Sequence, residues 1–295
     1  MDIESRDPSE SQEAAPVRKE GEEREELRRI PAARNWPVFF LLLSLTLFTT
    51  FLAGGLMYAV SLFFILGAHE FGHYWASRKN QVGATLPYFI PAPPNWFIFG
   101  TFGAMIIIRD PIPNRRVLME IGASGPIAGF LVAVPMLIAG LFLSTTAPAT
   151  GEHGLVFGNS IILTVFSKII LGVTPFTPDV NIQLHPMAFA GWVGLFVTAL
   201  NLFPVGQLDG GHIIFSLCGE NYKIWSRIFL GFLFILVYFW PGWLFWAILL
   251  LILTRLKPAQ LIDETVLPEK RHRILGILAI FIFVVTFVPV PLEVV

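Results

Sequence analysis

Five consecutive residues, His69-Glu70-Phe71-Gly72-His73, carry the sharpest chemical signal in the chain. On a helix, residues four apart share one face, so both imidazoles can bind one divalent metal ion. The glutamate between them sits where it can take a proton from a water that the metal activates. Two histidines leave such a centre incomplete, because a catalytic zinc site uses three protein ligands and keeps one position open. The remaining histidines are His153, His185, His212 and His272, and the acidic candidates on or near apolar stretches are Glu120 and Asp209. The single cysteine, Cys218, excludes an internal disulfide and any multi-cysteine metal site. Asp209 stands out because Pro204 precedes it and Gly210-Gly211-His212 follow it. The proline and the glycine pair would break a helix there and let a carboxylate turn inward. The plainer readings are a pair of interfacial histidines with a snorkelling glutamate, and a helix-terminal aspartate in a turn.

These residues sit in a strongly apolar chain. Of 295 residues, 55% are hydrophobic and 14% charged, with a mean hydropathy of +0.68, a balance typical of membrane proteins and not of soluble domains. Ionisable groups inside an apolar span are costly and mark functional sites by default, which favours the chemical reading of the His-Glu-His cluster. The formal net charge of −1 gives no electrostatic case for nucleic-acid binding.

Residues 1–35 form a separate unit of seven basic and ten acidic residues, read as a disordered or partly helical cytosolic tail. No cleavable signal peptide is visible in it. The domain that follows, 36–290, carries the apolar stretches. No charge occurs from Asn35 to Ala68, too long for one crossing of a ~30 Å core, and Gly54-Gly55 offers a break. Spans are therefore expected at 36–53, 57–77, 121–151, 185–203 and 274–290, with a weaker, undecided segment at 155–173. Residues 228–254 form either one tilted helix or a hairpin broken at Pro241-Gly242. With the break, nineteen of the twenty Lys and Arg residues fall on one side, so the positive-inside rule selects it. The expected fold is all-α and polytopic, with about seven transmembrane helices.

In that topology the His69/His73 helix and the helix leading to Asp209 run in the same direction, so both motifs lie near the same face at similar depth. The 78–116 loop is unusual. After Pro87, Pro91, Pro93 and Pro94 comes a β-branched, aromatic, Gly-punctuated run from Trp96 to Ile108, too short to span as a helix. It reads as a membrane-associated strand or hairpin near 96–108, which needs protein or a wet cavity beside it. Gly122, Gly125 and Gly129 read as a close helix-packing face, and Glu120 as a helix-start carboxylate. His212 reads as a loop residue or a group near the metal, and Arg115 and Arg116 as topology determinants.

Taken together, the chain resembles the site-2 protease family of intramembrane zinc metalloproteases. The resemblance rests on His69, Glu70 and His73, on the later Asn201, Pro204, Asp209 and Gly210, and on the glycine-rich 122–129 and 100–104 segments, and it covers roughly residues 57–256. It implies one Zn²⁺ per chain held by His69, His73 and Asp209, with Glu70 as general base. It further implies a membrane strand, here Gly100, Thr101, Phe102, Gly103 and Ala104, that captures an unwound transmembrane substrate. The activity implied is zinc-dependent endopeptidase cleavage of transmembrane segments, with a transmembrane protein substrate and membrane lipid as partners and no nucleic acid. A helical peptide must unwind before water can reach its carbonyls, and an exposed strand edge can hold it by β-augmentation. Asn201 either donates to substrate or oxyanion or serves as a structural amide. The expected location is a prokaryotic cytoplasmic membrane, multi-pass, with the N-terminus cytosolic. A non-catalytic module of the same fold and a metal transporter are the competing readings. The first leaves the filled motif positions unused, and the second needs paired broken helices in two related halves, which the sequence does not offer.

Overall fold

A computed structural model describes residues 36–95, 97–148, 155–175, 180–254 and 259–294. The charged segment 1–35 lies outside them. Helix α1 (Trp36–Lys79) is 44 residues long and is interrupted at Gly55, whose φ of 77° and ψ of −178° no helix contains. That left-handed backbone is open to glycine without steric cost. It divides the uncharged stretch into two arms, each on the order of 30 Å long, as the length argument requires. The second arm carries His69, Glu70 and His73.

A hairpin follows, of β1 (Tyr88–Pro91) and β2 (Thr101–Met105), antiparallel with Phe89 opposite Ala104. The strand expected at 96–108 is thus half of a pair whose partner strand lies among the prolines before it. The hairpin is fastened to α1 on both sides of Gly55. Thr49 Oγ1 donates to the Gly100 carbonyl at 2.6 Å and Tyr58 OH to the Phe99 carbonyl at 2.9 Å. Gly100, at φ 72°, lies against the Thr49 carbonyl where a side chain would collide.

Strand β3 (Ile112–Asn114) leads into α2 (Arg115–Phe142). Asn114 caps this helix by accepting from the Arg116 and Val117 N–H groups, so it begins before residue 121. It ends at Phe142, short of the expected 151, because β4 (Thr145–Pro148) turns away to pair with β6 (Val180–Gln183). Between them lie β5 (Leu155–Phe157) and α3 (Ile161–Leu171), the latter capped by Ser160 and stopped by left-handed Gly172. At 11 residues α3 is too short to cross a bilayer.

The remaining helices are α4 (Pro186–Asn201), α5 (Asp209–Cys218), α6 (Tyr222–Leu236), α7 (Gly242–Leu253) and α8 (Lys270–Thr286). Strand β7 (Leu261–Asp263) pairs with β3, and β8 (Leu292–Val294) with β5. The break expected at Pro241-Gly242 separates α6 from α7. The described chain is mostly helical, but beyond the expected hairpin three further two-stranded pairings correct the all-α expectation. By length and composition two helices, α1 and α2, suffice to cross a membrane. At 16, 15 and 12 residues, α4, α6 and α7 are shorter than the roughly 20 residues of a straight span.

Helix α2 is the centre of the packing, touching α4, α5 and α8. Gly140 lies against Ala188 and Gly191 against Leu137, approaches that side chains would block. The core gathers Tyr58, Leu62, Leu137, Trp192, Phe203 and Trp243, all nearly inaccessible. Outward, Phe40, Leu41, Phe64, Leu131, Ile169 and Ile277 are exposed. Apolar side chains in such numbers on an outer surface suit lipid rather than water.

Candidate metal centre

His69 and His73, one helical turn apart, are both buried, with ring centroids 4.9 Å apart. Helix α2 backs them with its glycine face. A Cβ at Gly125 would overlap the His73 ring, and one at Gly129 would come within 3.0 Å of His69 Nδ1. Close approach is mutual, since a Cβ at Gly72 would meet the Ser124 carbonyl at 2.5 Å. The glycines at 125 and 129 therefore make room for two imidazoles, a more specific task than helix packing alone. His73 Nδ1 lies 2.7 Å from the Ile121 carbonyl. A ring that donates Nδ1–H to that carbonyl keeps its Nε2 lone pair for a ligand role.

Asp209 arrives from a distant part of the chain, against the same glycine-bearing helix. After α4 ends at Asn201, the chain passes through Pro204, whose carbonyl accepts from Ser226 Oγ at 2.7 Å. It then folds back on the first turn of α5 so closely that side chains at Gly210 and Gly211 would strike the carbonyls of Leu202 and Gly206. Asp209 opens α5, so the plain reading as a helix-terminal carboxylate also holds. Its Oδ2 lies 3.2 Å from His69 Nε2 and 3.3 Å from His73 Nε2. Asn201 Nδ2 is 3.4 Å from His69 Nε2.

Among the described residues, the group able to hold a metal is His69, His73 and Asp209, with one donor atom from each, all within 4.8 Å of one another. Two imidazole nitrogens and one carboxylate oxygen, converging without a fourth protein donor, fit zinc with an open position. His185 instead caps α4, accepting from the Met187 N–H, and His272 closes a capping box with Glu269. His153 lies outside the described residues.

A cavity of about 330 Å³ opens beside the cluster. Glu70 lines it and is buried. Asn201, Gln207 and His212 also face it. The hairpin and its extension form the apolar wall through Ile90, Phe102, Ala104, Met105, Ile106 and Ile108. Of the five residues expected on the substrate strand, Phe102 and Ala104 border the cavity. Gly100, Thr101 and Gly103 instead build the hairpin, with Thr101 Oγ1 donating to the Ile90 carbonyl at 2.7 Å.

The structure adds roles that the sequence reading lacked. His212 belongs to a helix, not a loop. It stands three residues after Asp209 on α5, a spacing that puts both on one face. Arg115, read as a topology determinant, is buried, with Nε donating to the Ser216 carbonyl at 2.9 Å while Ser216 Oγ donates to the Arg115 carbonyl. Glu120 joins three helix ends. Its carboxylate lies 3.1 Å from Lys79 Nζ, 3.0 Å from Asn80 Nδ2 and 3.3 Å from His272 Nε2.

Comparison with known proteins agrees with this geometry. The model of peptidase family M50 matches residues 57–236. Among curated proteins, the chain is similar to the probable zinc metalloprotease EGY2, chloroplastic, of Oryza sativa subsp. indica, 32% identical over 77% of this chain and 41% of that one. The EGY2 protein of Arabidopsis thaliana is 30% identical over 90% of this chain and 46% of its own length. The Arabidopsis EGY1 protein is 34% identical over 77% and 41% respectively. The chain thus spans less than half the length of these relatives. No solved structure matches it. The relatives correct one expectation: they are chloroplastic plant proteins and point to a eukaryotic organellar membrane, not a prokaryotic cytoplasmic one. The family model covers both metal motifs and more than half of the chain, so the chain belongs to peptidase family M50, the site-2 protease family.

Proposed function

We propose that this chain is a zinc-dependent endopeptidase that cleaves transmembrane segments of other membrane proteins. The observation that carries the reading is the convergence of His69, His73 and Asp209 around one point, with Glu70 lining the cavity beside it. The relatives' names, as probable zinc metalloproteases, support the metal and the reaction class. The membrane-domain reading of 36–290, preceded by a separate charged tail at 1–35, belongs to this proposal. So do about seven crossings, with α6 and α7 as a broken pair and lipid contact along the exposed apolar faces.

In this reading His69 and His73 offer Nε2 and Asp209 offers Oδ2 to a single zinc. The metal supplies Lewis acidity, polarising the scissile carbonyl and lowering the pKa of the attacking water. Glu70 takes the proton of that water and delivers it to the leaving amine. As the water oxygen bonds to the carbonyl carbon, the C–N bond breaks and the amine departs with the proton that Glu70 carried. Asn201 directs its amide toward the site, where it donates to the carbonyl oxygen. The two-stranded hairpin leaves ladder groups unpaired at its edge, and β2 borders the cavity, so an unwound segment pairing there lies alongside Glu70. Burial among apolar walls keeps bulk water from the reacting groups.

The test uses purified full-length chain in detergent with a transmembrane peptide substrate. Wild type holds about one zinc and cleaves. Glu70→Gln keeps the zinc and loses cleavage. Cleavage that persists in Glu70→Gln removes the mechanism.

A further inference from the structure

Away from the cavity, His272 and Glu120 form a junction that the mechanism above does not use. His272 stands in the first turn of α8 and is 1% exposed. Its Nδ1 accepts the Glu269 N–H at 3.2 Å, while the Glu269 side chain accepts from the backbone of His272. A neutral ring that accepts at Nδ1 carries its proton on Nε2. That Nε2 lies 3.3 Å from Glu120 Oε1. The other oxygen, Oε2, accepts from Lys79 Nζ at 3.1 Å and from Asn80 Nδ2 at 3.0 Å. Lys79 ends the helix that carries His73, and Glu120 precedes Ile121, whose carbonyl lies 2.7 Å from His73 Nδ1. One carboxylate thus ties both supports of His73 to the start of α8.

We propose that His272 is a positioning residue for the metal centre, acting through Glu120, and that it does so only while neutral. The inference rests on the metal reading of His69, His73 and Asp209, not on peptide cleavage. A proton on Nδ1 would take away the acceptor of the Glu269 N–H and open the capping box. A cation in this first turn would face the positive end of the α8 dipole. Burial, together with the Arg271 charge, outweighs the Glu120 and Glu269 carboxylates and holds the ring below the usual histidine pKa. Lys79 pairs with Glu120, Arg116 with Glu269, and Lys270 and Arg273 flank the ring in sequence. Of the helices packed against α8, α2 also carries Arg115, α3 carries Lys168, α5 carries Asp209, His212 and Cys218, and α4 has no ionisable side chain. The folded protein binds this proton less readily than the unfolded chain does. The stability contributed by the neutral ring is therefore complete above the unfolded pKa of about 6.5 and is lost as pH falls below it. Charging the ring frees the start of α8. That helix packs closely on its neighbours, since a Cβ at Gly276 would stand 3.2 Å from Met119 on α2 and 3.4 Å from Leu217 on α5. Its release loosens the helix that backs His73 and the one that opens on Asp209.

His272→Gln supplies the reference, because glutamine at the third position of a helix keeps a capping box and offers an amide to Glu120 without titrating. The experiment follows Tm and the rate at which the zinc-loaded full chain in detergent yields zinc to a chelator. Wild type, His272→Gln and Glu120→Gln are compared from about pH 7.5 to 5.5, across the histidine range. Protonation of the metal ligands speeds release in all three, so the ratio of wild type to His272→Gln isolates His272. At the upper end the two should match. At the lower end wild type should release zinc about 10-fold faster than His272→Gln, the scale on which partners outside the ligand set act. Its Tm should also have fallen roughly 2–4 °C further, as for one lost helix cap in a chain of this size. Glu120→Gln removes a carboxylate that favours the charged ring, so its step should move to lower pH. Parallel curves for wild type and His272→Gln overturn the proposal, as does a step in Glu120→Gln that stays in place or moves to higher pH. If His272→Gln fails to fold, the direction of the Glu120→Gln shift decides alone. A wild-type chain that holds no zinc removes the metal reading, and this proposal with it.

Discussion

The Nε2 atom of His69 and the Oδ2 atom of Asp209 lie 3.2 Å apart across 140 residues of sequence. Local helical periodicity explains why His69 meets His73. Nothing local brings Asp209 to them. That approach is made by α2, whose glycine face admits the imidazoles on one side while α5 packs beside it.

The first prediction concerns the metal. Asp209→Ala and His73→Ala should each lower zinc affinity by more than about 10²-fold. Even changes to partners outside the ligand set cost 10–100-fold, and these residues offer the donor atoms themselves. Equilibrium dialysis against a zinc buffer measures this. Wild-type affinity in Asp209→Ala would remove the carboxylate from the centre.

The glycine face makes a second, sharper prediction. Gly125→Ala adds one methyl group where the His73 ring stands. Overpacking of this kind costs about 1–3 kcal/mol, and here it also displaces a ligand. Both Tm and zinc content should fall. Gly231, with open space around it, is the control: Gly231→Ala should leave zinc content unchanged.

A third prediction concerns the hairpin. Tyr58→Phe removes the buried hydroxyl that satisfies the Phe99 carbonyl, and Thr49→Val removes the one on Gly100. The first change leaves the buried Phe99 carbonyl without that partner, at a cost of about 1–3 kcal/mol, whereas the second leaves the Gly100 carbonyl with the Ala92 N–H at 3.2 Å and costs less. The strand beside the cavity loosens, so KM should rise while zinc content holds. Limited proteolysis within 92–100 should quicken in both variants.

Much of this centre was legible in the sequence. The spacing of His69, Glu70 and His73 uses the helix period, which needs no tertiary information. Pro204, Gly210 and Gly211 announced a helix break that could turn Asp209 inward, and Gly54-Gly55 announced the interruption of α1. Other features depended on contacts between distant segments. Prolines at 87, 91, 93 and 94 masked β1, because its strand character comes from pairing with β2. Arg115 reads as an ordinary flanking cation until Ser216 is brought against it. The three short pairings beyond the hairpin carry too few residues for any periodic signal. Of the expected substrate strand, Gly100 makes the turn into β2 and Gly103 sits within β2, both at positive φ, a role fixed by backbone dihedrals that residue type suggests without locating.

Metal removal gives a fourth prediction. A ligand that binds only the folded state stabilises it by RT ln(1 + [L]/Kd), about 2.7 kcal/mol at a hundredfold excess over Kd. Chelation should therefore lower the Tm of wild type, and zinc should restore it. In Asp209→Ala the same treatment should leave Tm unchanged. An equal chelator response in both proteins would place the stabilising metal elsewhere.

The most direct measurement is the zinc K-edge X-ray absorption spectrum of the purified chain. The account predicts one zinc with only nitrogen and oxygen neighbours at about 2.0–2.2 Å, including the multiple-scattering signature of two imidazoles. In Asp209→Ala that spectrum should be lost or altered, while Cys218→Ser leaves it intact. A sulfur neighbour at about 2.3 Å, or a spectrum indifferent to Asp209, would contradict it.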